Sequence, residues 1–467
     1  MQCHVFRGIG GVAHKYYLLF QHHLAPPVST YTTDAEQTRH ANAQGTSGRD
    51  AVQLKDAWMN TEVGDDLCYI IGKSPGPYVE ERSRSIYCQL GARMAFLGID
   101  ARTERTRHQI NYPETYKLIF DRVSRELAAS NGGIKHLILL LGVPIAYPRL
   151  QWLENIFQSP IIGPLRFLNK RFGFAGGFFN HFDGQVDLLD DLDDHYTAHQ
   201  HKKERKGLIL ELQNLARQHS VRITILGGDV HLAALGRFYS NSKQNIPAAS
   251  DWRFMTNVVS SAITNKPPPA AVANLLARRN KIHHFDSETD ETLLNFFDVD
   301  PAQGREDVKN KTKDKNNCTM PSRNFAIITE SRDYEKRGAR MNGAPVNGDS
   351  TASNGYTNGT HTNDVNGTLT NGINGHNSAV AQSPSTEKDF IPPQNPRNPL
   401  HPGELNAGTS HPASSGVVHT GLGGSDGLDV TIRVEINQHD PEGRTKGYGL
   451  SIPGLDCRGY KSQGKTW

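Results

Sequence analysis

The chain of 467 residues has few cysteines and no apolar stretch long enough to cross a bilayer. Its five cysteines are scattered, odd in number and outside any CxxC or Cys/His finger spacing, which favours a reducing compartment over a disulfide scaffold. The apolar run at residues 134–143 is too short for a transmembrane helix, and polar residues interrupt the first 24 positions, so no targeting signal is indicated. The sequence therefore predicts a cytoplasmic protein, with peripheral membrane association left open.

An excess of charge of one sign is also missing. The 51 basic and 48 acidic residues give a net charge of +3, so nothing in the composition indicates a nucleic-acid partner. Polar residues dominate after about residue 340, where Asn-Gly pairs recur among Thr and Ser, and such a stretch buries too little apolar surface to offset its ordering entropy. We therefore expect a globular domain at residues 1–332, a disordered segment at 333–427, and closing strands of the same domain at 428–455.

Strand and helix patterns alternate along the first region. Apolar residues at helical spacing predict helices at 113–129 and 199–218. Continuous β-type runs predict buried strands at 134–143 and 221–226. Shorter β-type segments predict further strands at 86–99, 232–238, 254–260, 324–330, 430–436 and 447–452. The order strand, helix, strand, helix, strand predicts an α/β fold in which helices are layered on a mixed sheet.

The motif Gly227-Gly228-Asp229-Val230-His231 directly follows a buried strand. Ligands of open α/β sheets bind beyond the carboxyl ends of strands, and the two glycines allow a tight backbone turn there. In an extended chain Asp229 and His231 point to the same side, so a carboxylate and an imidazole are offered to one metal such as Fe, Zn or Mn. The alternative is an aspartate that caps a helix beside a surface histidine.

An acidic cluster precedes the second helix. Five aspartates occur within residues 187–194, and His195 and Tyr196 follow directly. Carboxylate and imidazole groups can ligate metals, and the basic residues at the start of the next helix can bind phosphate. The plainer interpretation, a solvated acidic loop that caps the helix, is left open.

A third cluster, Asp100-Ala101-Arg102-Thr103-Glu104-Arg105, also follows a β-type run. An arginine at a strand end suits an anionic oxygen because its guanidinium binds two oxygens at once. An exposed ion-pair cluster is the more common meaning of such a run. If the strands are parallel neighbours, all three clusters lie at one edge of one sheet and predict a site for a metal-bound phosphate ester.

Together these motifs resemble those of the PhoD-like phosphatases of the metallophosphoesterase superfamily, in particular the fungal branch. The resemblance runs from about residue 5 to residue 330 and includes the strands near 428–453. The motifs that carry it are residues 96–105, 141–144, 193–196, 204–205 and 228–231. The resemblance implies a four-layer α/β/β/α sandwich with metal ions between its sheets. One difference is that Tyr196 stands where the family often has Trp.

The resemblance also implies roles for individual residues, all of which are expectations. The metal ligands would be Asp229, His231 and Asp194, and the ions Fe, Ca, Zn or Mn. The catalytic residues would be His231, Asp194 and His195. The groups that bind the phosphate-ester substrate would be Arg102, Arg105 and Arg205.

The chain departs from the family pattern upstream of Asp100. A Gly-Asp block and an Asp-Asp-His-Asp/Glu block, which carry further metal ligands, are missing there, and Gly64-Asp65-Asp66 is the nearest lookalike. We therefore expect a domain that is incomplete at its N-terminus and binds metal poorly. Two functions follow: metal-dependent hydrolysis of phosphomonoesters or phosphodiesters, or a non-catalytic, degenerate phosphatase that acts as an interaction scaffold.

Overall fold

The computed structural model describes the chain in several stretches. They are residues 68–78, 82–146, 196–261, 280–299, 316–331, 400–416, 419–424 and 426–457, with shorter pieces within 13–21 and 263–277. The chain divides into one compact unit of residues 1–332 and 393–467 and a second of residues 333–392, which lies outside the described residues. Within the described stretches, no helix has the length and apolar character needed to span a membrane.

A mixed sheet of ten strands forms the centre of the described fold. Its order is β1-β2-β3-β4-β5-β7-β6-β9-β8, and β10 pairs with β6. The strands are β1 Tyr69–Pro75, β2 Arg82–Leu90, β3 Met94–Gly98, β4 His136–Gly142, β5 Arg222–Gly227, β6 Ala233–Ser240, β7 Met255–Val259, β8 His283–His284, β9 Thr289–Leu293 and β10 Thr319–Met320. Strands β3, β4, β5 and β7 are parallel neighbours, and the remaining pairings are antiparallel. The predicted α/β class with a mixed sheet is confirmed.

Two helices cover one face of this sheet. Helix α1 (Pro113–Ala129) starts with proline, whose missing N–H has no helical partner at that position, and ends before Asn131 and Gly132, which have left-handed φ angles of 50° and 77°. Helix α2 (Lys202–His219) follows a 3-10 turn at His199–His201. Both helices bury apolar stripes in one core with alternate residues of β3, β4 and β5.

A smaller antiparallel sheet covers the opposite face. It consists of β11 (Asn324–Glu330), β12 (Leu428–Glu435) and β13 (Thr445–Ile452), with β12 in the middle. Its apolar side chains form a second core with residues of the large sheet, including Ile138, Leu235 and Val258. The described residues therefore form three layers, which are helices, the large sheet and the small sheet.

Residues 400–416 and 419–424 fall within the stretch that the sequence predicts to be disordered, and here that prediction is wrong. They contain 3-10 helices at Pro402–Glu404 and Pro412–Ser415. Glu404 forms a buried ion pair with Arg237 of β6, and Ala413 accepts a hydrogen bond from the Thr431 hydroxyl. These residues cover the outer face of β12 and bury Thr431. The alternating pattern of β12 predicts instead that this face is exposed to solvent. The Asn-Gly repeats themselves lie outside the described residues, so their disorder stays a prediction.

Candidate active site

The carboxyl ends of the parallel strands meet at one edge of the large sheet. Leu97 of β3 pairs with Leu139 of β4, Leu139 with Ile225 of β5, and Ile225 with Asn257 of β7. The segments that begin at residues 99, 143, 228 and 260 therefore leave the sheet side by side. As the sequence predicts, the Asp100 and Asp229 clusters follow strands that end at the same edge.

The Gly-Asp-Val-His turn (residues 228–231) joins β5 to β6 at this edge. The N–H of Gly228 donates to the carbonyl of Gly142 at 2.7 Å, and the N–H of Val230 donates to the carbonyl of Gly228 at 2.9 Å. A Cβ atom on Gly227 would lie 3.1 Å from the Cα of Pro144, so the segment after β4 packs against a position where only glycine fits without displacement. The sequence predicted this tight turn correctly.

The backbone of the turn is left-handed rather than extended. Asp229 has a φ of 71° and His231 a φ of 54°. The prediction that these two side chains share a side because they are two apart in an extended chain therefore rests on the wrong backbone geometry. Left-handed φ angles in residues other than glycine cost free energy and persist only where the surrounding structure fixes them. Such positions cluster at functional sites, which makes this turn the main candidate in the described chain.

The two donor groups of the turn are accessible. Asp229 is exposed and His231 is half-buried, with Nε2 of His231 3.4 Å from the side-chain amide nitrogen of Asn265. A carboxylate and an imidazole fit a metal by their chemistry. They form an incomplete donor set, because no group of three His, Cys, Asp or Glu residues suited to a metal occurs among the described residues. Asp194 and His195, the other expected donors, lie outside the described residues.

The Asp100 turn (residues 100–105) uses its aspartate differently. The buried carboxylate of Asp100 accepts hydrogen bonds from the N–H groups of Arg84, Arg102 and Thr103 at 2.9, 3.0 and 3.0 Å, and from the Thr103 hydroxyl at 2.6 Å. Its lone pairs are therefore occupied by the protein. Asp100 fixes the turn that carries Arg102, which is exposed, and Arg105, which is half-buried.

Glu104 extends this network to the start of α1. Its fully buried carboxylate accepts hydrogen bonds from the hydroxyls of Ser83 and Thr115 and from the N–H of Tyr112, each at 2.6 Å. Glu104 lies in the motif at residues 100–105, but no sequence pattern indicates a role for it. Burial with several donors around one carboxylate identifies it as part of the scaffold.

Glu204 of α2 binds the segment that precedes α1. It accepts hydrogen bonds from the N–H groups of Ile110 and Asn111 at 2.9 and 2.8 Å and from the Tyr116 hydroxyl at 2.9 Å. Burial opposes ionisation, but the His201 side chain and these donors together keep the pKa of Glu204 below its ordinary value. The carboxylate is therefore ionised at neutral pH and joins α2 to the chain before α1.

Tyr196, the residue after the acidic cluster, is fully buried in this same region. Burial raises its pKa, and Tyr116, Glu204 and Arg105 are close enough to act on it as well. Tyr196 therefore lies near Tyr116, Glu204 and Arg105. The aspartates of the acidic cluster are outside the described residues, so their proximity to the Asp100 turn stays a prediction.

Arg205, expected to bind substrate, belongs to the protein core. Its guanidinium forms a buried ion pair with Glu291 of β9, donates through Nε to the carbonyl of Ile145 at 2.9 Å, and lies over the rings of Phe238 and Phe285. The expectation for Arg205 is therefore wrong. The partner of Arg205, Glu291, is 86 residues away in the chain and lies in a polar strand. No sequence pattern indicates that strand, so the ion pair could not be predicted.

A cavity of about 520 Å³ opens beside these groups, between the segment before α1 and the first turns of α2. Its walls include Tyr116, Phe120, Lys203 and Glu204. Gly207 also lines it, and a Cβ atom there would meet no other atom within 4 Å. Packing within the chain therefore does not require glycine at position 207, although glycine inside a helix is less stable than alanine.

Comparisons with known proteins identify the family of the chain. The family model described as PhoD related phosphatase matches residues 83–164 and 166–346, more than half of the chain. The uncharacterized protein YGR266W of Saccharomyces cerevisiae is 40% identical over 345 residues, which cover 70% of this chain and 44% of that relative. No solved structure gave a significant match. With the family's motifs at the carboxyl edge of a mixed α/β sheet and its model matched across most of the described fold, the chain belongs to the PhoD related phosphatases.

Proposed function

We propose that the chain hydrolyses phosphate esters, either phosphomonoesters or phosphodiesters, at the carboxyl edge of β3, β4, β5 and β7. The observation that carries this proposal is the left-handed Gly-Asp-Val-His turn, which presents an accessible carboxylate and imidazole in a member of a phosphatase family. Strained turns that present polar groups at such an edge are typical of catalytic sites.

Asp229 and His231 would hold a metal ion together with Asp194, and the candidates remain Fe, Ca, Zn and Mn. A metal ion in such a site supplies Lewis-acid polarisation of the phosphoryl group. The described residues provide part of the proposed ligand set, and residues outside them would supply the rest.

Arg102 and Arg105 are proposed to bind the anionic oxygens of the substrate. Asp100 fixes the backbone of their turn through the N–H groups of Arg102 and Thr103, so the guanidinium of Arg102 extends from a rigid base. A guanidinium binds two phosphoryl oxygens and stabilises charge that develops on them. His231, Asp194 and His195 are proposed to lie next to the reacting oxygen, and His195, which is not among the proposed metal ligands, would exchange a proton with it.

The described residues form three layers of the four-layer α/β/β/α sandwich that the resemblance implies. We propose that a further helix layer covers the small sheet, and that the protein is cytoplasmic. The whole protein's substrate is proposed only as a phosphate ester, because the chain spans 44% of the relative that it matches.

The test is hydrolysis of an aryl phosphate and an aryl phosphodiester by chelator-treated chain, with Fe, Ca, Zn or Mn added back singly. Because the described residues hold only part of the ligand set, we expect weak metal-dependent turnover, and it should fall at least about tenfold in His231→Ala because a ligand of the ion is lost. His439→Ala is the matched control, since His439 is exposed in the loop between β12 and β13. A folded chain without turnover under any metal would refute hydrolysis and favour the scaffold function.

A further inference from the structure

Asn324, the first residue of β11, has a side chain whose hydrogen-bonding groups are all occupied at the carboxyl edge. It is 3% exposed. Its Oδ1 accepts from the Ser260 hydroxyl at 2.9 Å and from the N–H of Ser261 at 3.1 Å. Its Nδ2 donates to the carbonyls of Ser261 at 2.6 Å and Ser322 at 2.8 Å. Two donors and two acceptor sites are thus satisfied, which is the full capacity of an amide.

These bonds join the two sheets of the fold. Asn324 pairs with Val434 in the small sheet, whereas Ser260 and Ser261 directly follow β7 of the large sheet. Removing the amide would leave polar groups of the half-buried Ser260 and Ser261 and the carbonyl of the buried Ser322 without these partners, which is more costly than losing one exposed bond.

Ser260 and Ser261 in turn bind both ends of the Gly-Asp-Val-His turn. The N–H of Ser260 donates to the carbonyl of Gly227 at 3.0 Å, directly before the turn. The hydroxyl of Ser261 donates to the carbonyl of Leu232 at 3.2 Å, directly after it. The chain of contacts from Asn324 therefore ends on Gly227 and Leu232, the two residues that flank the turn.

From this geometry we infer that Asn324 is a positioning residue that keeps the Gly-Asp-Val-His turn in its left-handed conformation. Because Asp229 and His231 have unfavourable φ angles, the turn relaxes unless its ends are fixed. The inference deepens the proposed function and rests on it for the role of Asp229 and His231. Asn324 itself touches neither the proposed metal nor the substrate; it acts through Ser260 and Ser261.

The first experiment follows amide hydrogen exchange in the full chain without metal. We expect the amides of residues 228–232 to exchange about tenfold faster in Asn324→Ala than in the parent. Without the asparagine amide, the turn can open without breaking the hydrogen bonds between residue 324 and Ser260 and Ser261, so opening costs less free energy. Ser331→Ala is the matched control. Ser331 is fully buried, directly follows the other end of β11, and its hydroxyl accepts from the N–H of Gly423 at 3.0 Å, far from the turn.

Equal exchange of the turn in folded Asn324→Ala and in Ser331→Ala would overturn the inference. If Asn324→Ala does not fold, Ser261→Ala decides, because it removes only the hydroxyl bond to Leu232; unchanged exchange there also overturns it.

A second readout is the Mn²⁺ concentration at half-maximal binding, measured calorimetrically. It should rise about tenfold in Asn324→Ala and stay unchanged in Ser331→Ala, as expected for a residue that orients ligands. An unchanged Mn²⁺ midpoint in a folded Asn324→Ala chain counts against the inference. Absence of hydrolysis in the parent chain would instead remove the proposed function, while the exchange data still decide the role of Asn324.

Discussion

The Asp100 turn and the Gly-Asp-Val-His turn lie at the same sheet edge and use the same residue type in opposite ways. Asp100 is buried, with four hydrogen bonds from its own chain, whereas Asp229 is exposed in a left-handed backbone. A carboxylate whose lone pairs are all used stabilises the fold, and one that is left accessible can bind a ligand. Hydrogen-bond partners, rather than residue type, therefore distinguish a scaffold carboxylate from a site carboxylate.

The largest expected effect comes from Asp100→Ala. It removes four hydrogen bonds to a buried charged group, so we expect the free energy of unfolding to fall by about 3 kcal/mol or more. Urea unfolding followed by circular dichroism measures this. Asp229→Asn is the matched control and should change the free energy by less than about 0.5 kcal/mol, because asparagine tolerates the left-handed backbone at this position. Similar losses of stability in both variants would contradict the distinction between Asp100 as a scaffold group and Asp229 as a site group.

The second expected effect concerns Asp229→Asn. Asparagine adopts left-handed φ angles readily, so stability should stay within about 0.5 kcal/mol of the parent. Loss of the charged ligand should lower metal-dependent turnover at least about tenfold. Steady-state hydrolysis of the aryl phosphate and thermal unfolding of the same sample measure the two quantities. Full activity in Asp229→Asn would show that this carboxylate is not a ligand.

The third prediction concerns Glu204, which, like Asp100, is a carboxylate that stabilises the fold through hydrogen bonds. Its pKa is depressed in the folded chain, so its contribution to stability is present above the ordinary glutamate pKa of about 4.3 and is lost as pH falls through the folded value. Glu204→Gln should therefore be less stable than the parent at pH 7, and the difference should shrink as pH falls below about 4. Urea unfolding across that range measures it, and a pH-independent difference would contradict it.

The smallest expected effect is that of Arg102→Lys. Lysine keeps the positive charge but not the paired N–H groups, so we expect KM for the aryl phosphate to rise a few-fold with little change in stability. Lys117→Arg, an exposed site on α1 paired with Asp121, serves as the control for surface substitution. An unchanged KM would place Arg102 outside the substrate site.

Elements with strong local signals were predictable from sequence. Helix α1 begins at Pro113 and ends at Ala129 as predicted, because proline starts it and Asn131-Gly132 ends it. Strand β11 at Asn324–Glu330 also matches its prediction. In contrast, β9 (Thr289–Leu293) was missed, since its sequence TDETL is polar yet every residue is buried. The carboxylate of Glu291 in this strand is offset by Arg205, a partner distant in sequence.

The sequence alone therefore determined the α/β class, the phosphatase family, the main helices and strands, and the turn at Gly227 and Gly228. These follow from apolar periodicity, proline and glycine positions and short motifs, which act within a few residues. Only tertiary contacts make Asp100 and Arg205 scaffold groups, give the Gly-Asp-Val-His turn its left-handed backbone, and order residues 400–416 and 419–424. The physical reason is that a polar group's role depends on the partners that fill its hydrogen bonds, and folding brings those partners from distant parts of the chain.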